Sequence, residues 1–256
     1  ILDQPFDLTR DVLFRIYLLK SSTNDREYYL VLNFHHIIAD GEMQRIIANE
    51  ISITYNQLIS SDEHNDITGN SLSQLTSTNL ASAINLETQR LTQEYNEKSR
   101  QYWLSFINEI PLNVSLPYKS RMSIKIHLGM EKTSVVDYFE IDGNHTQALK
   151  KYAKSNKATL FIVLSAVYGI ILSKYSNQEK LLISYPINMR PLGYGGVDGC
   201  FVNNIPLKIE LDKYEALNDL ITDLIKQRKE TKEYQGYSLV HIINDQRQYN
   251  KLFLDN

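Results

Sequence analysis

Residues 35–41 read His35-His36-Ile37-Ile38-Ala39-Asp40-Gly41, directly after the apolar run Tyr28-Tyr29-Leu30-Val31-Leu32-Asn33-Phe34 and directly before an amphipathic segment that opens at Glu42. The aromatic and β-branched run predicts a strand. Apolar residues at 43, 46, 47, 51 and 58, with Tyr55 filling one turn, predict a helix with one buried face. The heptapeptide therefore falls at a strand-to-helix junction, where two rigid elements can hold an imidazole in place and still expose it.

The rest of the chain alternates in the same manner. Leu13 to Leu19 reads as the strand before Tyr28–Phe34, joined to it by the hairpin loop Lys20 to Asp25. Asp62 to Asn79 is rich in Ser, Thr, Asn and Asp and reads as a loop. One long helix is predicted from about Ala83 to Glu109, with Pro111 and Pro117 bracketing its exit. Tyr118 to Lys132 is basic and reads as a connection between lobes, and Thr133 to Ile141 as a strand. Asn144 is placed to cap a helix reaching Ser155, and Thr159 to start a mostly apolar helix, Leu160 to Tyr175. Leu181 to Tyr185 and Ile205 to Leu211 read as inner strands flanking the Gly-rich stretch Pro186 to Asn204, which holds Arg190. Glu215 to Lys232 predicts an amphipathic helix, and Leu252 to Asn256 the beginning or middle of a strand. Strands and long helices mixed in both halves define an α/β class in two lobes, 1–117 and 118–256. With Ile1 at one end and this strand-like stretch at the other, the chain reads as a segment of a longer polypeptide.

Composition narrows the partners. A formal net charge of −3 gives no electrostatic reason for nucleic acid or an anionic membrane as partner. The longest apolar stretch, Leu160 to Leu172, is too short to span a bilayer and is broken by Ser165 and Gly169. The 17 tyrosines come without a basic patch and read as packing and surface residues rather than a base-stacking platform. The single cysteine, Cys200, rules out an internal disulfide, fits a reducing, cytoplasmic setting, and reads as a small core-filling residue. Lys226-Gln227-Arg228-Lys229 reads as a solvated helix face. A metal site on His35, His36 and Asp40 is disfavoured, because adjacent strand residues point to opposite faces.

Several stretches together resemble one family. His35-His36-Ile37-Ile38-Ala39-Asp40-Gly41 resembles the His-His-x-x-x-Asp-Gly signature of the condensation domains of nonribosomal peptide synthetases. Gly199-Cys200-Phe201-Val202-Asn203-Asn204 is similar to the family's Gly-x-Phe-Val-Asn-Thr motif. Pro5-Phe6-Asp7-Leu8 with Leu13-Phe14-Arg15, and Tyr102-Trp103-Leu104 with Leu116-Pro117, match in the family's order. Tyr234-Gln235-Gly236-Tyr237 and Arg247 to Asn256 are fainter matches. The chain departs from the pattern at Asp198, where Ile or Val is usual, and at Asn204, where Thr is usual; the aromatic-acidic motif near 70–85 is not recognisable.

The resemblance implies two chloramphenicol-acetyltransferase-like lobes forming a V around a tunnel, of which this chain is the central part. It implies an amide-forming transferase of secondary-metabolite biosynthesis, in which an acceptor amine attacks a donor thioester. Both substrates would ride on the phosphopantetheine arms of carrier proteins from neighbouring synthetase modules, with no bound metal or organic cofactor. A neutral imidazole, with an ordinary pKa of about 6.5, can take the amine's proton near physiological pH, and His36 is assigned that role. His35 is assigned as its support. Asp40 is assigned chiefly a structural role, in an ion pair with Arg190 that ties the lobes, and a catalytic one as the lesser alternative. The Gly41 N–H is placed to face the developing oxyanion, and Asn203 to line the tunnel and orient substrate. An acyl-CoA-dependent acyltransferase, a peptidyl epimerisation domain and a non-catalytic docking platform remain open, whereas a heterocyclising variant, with Asp in place of both His, is excluded by His35 and His36.

Overall fold

The computed structural model describes residues 4–60, 80–117 and 137–254, so the expected loop over 62–79 and the basic connection over 118–132 lie outside the described residues. Strands β1 (Phe14–Lys20) and β2 (Tyr28–Phe34) pair antiparallel, with Phe14 opposite Phe34 and Lys20 opposite Tyr28. The intervening loop closes on itself: the Ser21 N–H donates to the Glu27 carbonyl, and the Arg26 N–H donates to Asn24 Oδ1. Helix α1 (Gly41–Ser60) follows the heptapeptide and buries Met43 and Ile46.

The long helix expected from Ala83 to Glu109 is instead two, α2 (Leu80–Arg90) and α3 (Gln93–Phe106). Thr92 supplies the reason. Its Oγ1 accepts the Tyr95 N–H at 3.1 Å and so caps a new helix start in the middle of a continuous apolar pattern. Another shift of the same kind occurs at α4 (Gly143–Ser155), which is capped by Asp142 rather than Asn144, Oδ1 accepting the His145 N–H at 3.0 Å. Thr159 caps α5 (Leu160–Ser176) through its side chain, as expected. The expected strand over 133–141 is not formed in its described part: residues 137–141 are irregular, with Tyr138 and Phe139 exposed, and no described strand offers them a ladder.

β3 (Lys180–Asn188) and β4 (Val202–Glu210) form the second two-stranded sheet among the described residues. The Met189 N–H donates to the Phe201 carbonyl at one end, and the Leu211 N–H to that of Glu179 at the other, so the strands run antiparallel. Both strands extend further into the Gly-rich stretch than expected, and Leu211 leaves β4 to begin a 3-10 turn, Leu211–Lys213. Helix α6 (Leu217–Glu230), a second 3-10 turn (Thr231–Tyr234) and α7 (Leu239–Leu254) complete the chain. Helix α7 occupies residues 252–254, which read as strand from their sequence; the apolar pattern there is too short to separate the two periods. No single helix among the described residues is long and apolar enough to cross a membrane.

The chain divides into two compact units, residues 1–95 with 187–203, and residues 96–186 with 204–256. The second is built around fully buried Trp103, Ile162, Leu181, Leu207, Ile209, Leu220 and Leu224. α5 packs closely on β4: a Cβ on Gly169 would fall 2.9 Å from Ile209 side-chain carbons. Trp103 donates its indole N–H to the Tyr234 carbonyl at 3.1 Å, and Tyr102 stacks on the Tyr234 ring at 3.9 Å, which anchors the turn after α6. Gln227 is 3% exposed and treats β4 as another strand would, accepting the Lys208 N–H and donating to the Lys208 carbonyl, each at 2.9 Å.

Gln227→Leu keeps the volume and removes both bonds, leaving a backbone donor and acceptor without partners. It is expected to destabilise the chain by about 2–4 kcal/mol, read as a lower midpoint in urea unfolding with unchanged m.

Candidate functional site

The heptapeptide is held by both of its ends. The His35 N–H donates to the Leu13 carbonyl at 2.9 Å, continuing the β1–β2 pairing by one bond, and the backbone then turns, with the Ile38 N–H donating to the His35 carbonyl at 3.1 Å. Both histidines thus lie beyond the last strand residue, Phe34, so strand alternation does not govern where they point. The half-buried His35 ring accepts the Ile37 N–H on Nδ1 at 3.1 Å and meets the Phe6 ring edge-on at 5.9 Å. Phe6 is itself fixed from the other side: the Arg15 guanidinium lies 3.9 Å above its ring and donates to the carbonyls of Gln4 and Pro5. The His36 side chain is exposed.

Asp40 closes the turn and opens the helix. Its Oδ1 accepts the Met43 N–H at 2.9 Å, an N-cap bond that satisfies one of the first-turn donors of α1. Oδ1 and Oδ2 also take a two-pronged bond from Arg190, at 2.9 and 2.8 Å, and Oδ2 accepts the Phe201 N–H at 2.9 Å. The Arg190 fork is equally occupied. Its Nε donates to the Val197 carbonyl, Nη2 also to the Gly199 carbonyl, and Nη1 also to Asn188 Oδ1. The two side chains are 6% and 2% exposed. Both residues belong to the first compact unit, where the pair fastens the 187–203 segment to the start of α1. Burial raises the Asp40 pKa, but the bonds from Arg190, Met43 and Phe201 and the Arg190 charge outweigh it and hold the carboxyl at about 2. The carboxylate is anionic and saturated, with no lone pair left to relay a proton.

Gly199 makes the clamp possible. Its φ of 138° lies in the region that favours glycine, and a Cβ there would fall 3.0 Å from the Phe201 ring. Gly41 differs: it sits in the first turn of α1, and an added Cβ would meet nothing within 4 Å. Asn203 is half-buried in β4, two residues beyond Phe201. Cys200 is a correction: it is exposed rather than a core filler, and its Sγ lies 4.0 Å from His36 Nδ1. The clamp explains this, because both its neighbours are tied inward to Asp40 and Arg190, leaving its own side chain facing out. Sequence proximity could not reveal this neighbour, 164 residues away.

Beside the heptapeptide lies an apolar cavity of about 400 Å³, lined by Phe14, Ile16, Leu32 and Phe34 of the sheet, Ile38, Met43, Ile47 and Ile51, with Leu80, Asp198 and Gly199 completing it. Burial and the Asp198 charge raise the pKa of Glu50 on α1. Among the described residues no group of three or more His, Cys, Asp or Glu could hold a metal ion.

Comparison with known proteins shows the family. The family described as Condensation domain matches residues 1–254, and the chain belongs to that family. It is 28% identical to bacitracin synthase 1 of Bacillus licheniformis over 254 residues, which is 97% of this chain and 4% of that protein. Among solved structures, it resembles the first condensation domain of the CDA synthetase with a TM-score of 0.67 at 16% identity, over 91% of this chain and 49% of that one. It also resembles the teicoplanin X-domain, solved in complex with OxyB, with a TM-score of 0.70 at 16% identity, over 95% and 52%. The chain thus shares the mixed helix-and-strand condensation-domain fold and spans about half the length of these solved chains.

Because the Asp40 pKa is depressed in the folded state, the clamp contributes stability above the ordinary carboxylate pKa of about 3.9, lost as pH falls through about 2. Stability should therefore drop by about 2 kcal/mol more between pH 4 and 2 in the natural chain than in Asp40→Asn, by urea titration across that range. At neutral pH Asp40→Ala should cost about 3–5 kcal/mol, because Arg190 is left buried without its counter-charge.

Proposed function

We propose that this chain carries the reacting centre of a domain that joins a donor acyl or peptidyl thioester to an acceptor amine. The observation that carries the reading is the locked signature: Asp40 is wholly committed to Arg190, Met43 and Phe201, while His36 on the same turn stays exposed. Both substrates are thioesters on the phosphopantetheine arms of carrier proteins belonging to neighbouring synthetase modules, in the cytoplasm. The acceptor nitrogen attacks the donor carbonyl, His36 accepts the proton the amine loses, and the collapsing intermediate expels the donor sulfur, which takes that proton from His36 and leaves as a free thiol. The Gly41 N–H, at the positive end of α1, faces the oxyanion. His35 supports the turn through its bond with Ile37, Asp40 and Arg190 hold the frame, and Asn203 orients substrate. The partial lobes 1–117 and 118–256 contribute to a V around a tunnel through which the two arms enter. No metal or bound organic cofactor takes part.

A docking platform is the second reading, favoured by the likeness to a teicoplanin X-domain solved with OxyB. Against it stands the exposed imidazole on an intact signature. Related acyl-CoA transfer or epimerisation would use the same residues on other substrates.

The test is mass spectrometry of product from the full-length polypeptide, an acyl-loaded donor carrier and an aminoacyl-loaded acceptor carrier. Amide on the acceptor arm is expected, reduced roughly 10²–10⁴-fold by His36→Ala. Product from acyl-CoA alone would move the reading to the acyltransferase. No product across several substrates, with carrier binding indifferent to His36→Ala, would move it to the platform.

A further inference from the structure

We infer that Cys200 is a positioning residue for His36: its sulfur accepts the Nδ1 proton, so that Nε2 keeps the lone pair that takes the proton from the acceptor amine. The inference rests on the reading of His36 as the proton acceptor. In a neutral imidazole one nitrogen donates and the other accepts, and the partner of one nitrogen decides the state of the other. A carboxylate commonly fills that place beside a working histidine. Here the nearby carboxylate is unavailable, since Asp40 already accepts four bonds. His35 is unavailable too, its Nδ1 being occupied by the Ile37 N–H. Among the described residues, Cys200 is the polar side chain within hydrogen-bonding reach of the His36 ring, Sγ to Nδ1 at 4.0 Å.

The thiol does not reach that position by chance of a loose loop. The Gly199 carbonyl on one side accepts from Arg190 Nη2 at 2.8 Å, and the Phe201 N–H on the other donates to Asp40 Oδ2 at 2.9 Å. The clamp that fixes the turn bearing His36 therefore also fixes the backbone bearing Cys200, and the two side chains keep their register. Sulfur is a weak acceptor, and the contact serves to orient the ring.

The test uses the full-length polypeptide with carrier-bound donor and acceptor, comparing wild type, Cys200→Ala, Cys200→Ser and His36→Ala. Cys200→Ala should lower kcat about fivefold, the worth of one hydrogen bond, with the acceptor KM and the melting temperature unchanged. Cys200→Ser should fall between the two, its hydroxyl accepting the same proton across a longer gap. Wild-type kcat in Cys200→Ala, with His36→Ala inactive, overturns this inference and leaves the role of His36 standing. Full activity of His36→Ala overturns both.

Discussion

The first compact unit depends on a buried ion pair in which every bonding position is used. A lone carboxylate or guanidinium taken out of water loses several kcal/mol of hydration, and a simple contact between the two seldom returns it. Asp40 and Arg190 meet that cost by saturation. The carboxylate accepts four bonds and the guanidinium donates five, shared among each other, three backbone carbonyl or amide groups of residues 197–201, the first turn of α1 and Asn188. Removing any one partner leaves another buried charge short of a bond, so the arrangement behaves as one piece. The heptapeptide turn, the start of α1 and the segment after Arg190 are positioned together because they share these two side chains.

A division of labour follows within seven consecutive residues. The acid is spent on architecture: with its pKa held at about 2 and its lone pairs filled, it can neither take a proton nor pass one on. The imidazole of His36 is left exposed beside it, and His35, braced by Phe6 beneath the Arg15 guanidinium, keeps the turn in shape. Asp and His therefore do not form a relay, although their spacing invites one. The chemistry proposed for this turn is modest, one proton accepted and one oxyanion tolerated, and a rigid turn with an exposed imidazole suits it.

The second unit meets part of the same problem of buried polarity with an uncharged side chain. Gln227 supplies the donor and acceptor that a further strand would have given to Lys208, and the Tyr102–Tyr234 stack with the Trp103 indole bond holds the turn beyond α6. Pairs of strands are marginal alone, and here a helix side chain completes the ladder. The lysines at 226 and 229 stay exposed as their sequence suggests, whereas Gln227 between them turns inward, so the stretch is not a uniform solvated face.

Sequence alone determined many of the elements and named the candidate residues. Apolar, aromatic and β-branched runs located β1 and β2, a mostly apolar stretch after Thr159 located α5, and helical spacing of apolar residues located α1 and α6, because such local patterns need no knowledge of what covers them. The signature and the 199–204 motif marked the candidate site for the same reason: residue type and spacing along one chain are local facts. What the tertiary structure decided was everything set by a partner distant in the chain or by one competing hydrogen bond. Thr92 split a continuous apolar pattern into α2 and α3 with a single cap. Asp142, not Asn144, took the start of α4, two oxygens of similar propensity being separated only by backbone geometry. Cys200, which composition assigns to a core, faces out against His36, because Asp40, 161 positions from Phe201, and Arg190, itself clamped to Asp40 across 150 positions, hold its two neighbours. Periodicity reports burial averaged over an element; it carries no record of which particular atoms meet across a fold, and that meeting is what placed the thiol, the imidazole and the saturated acid together.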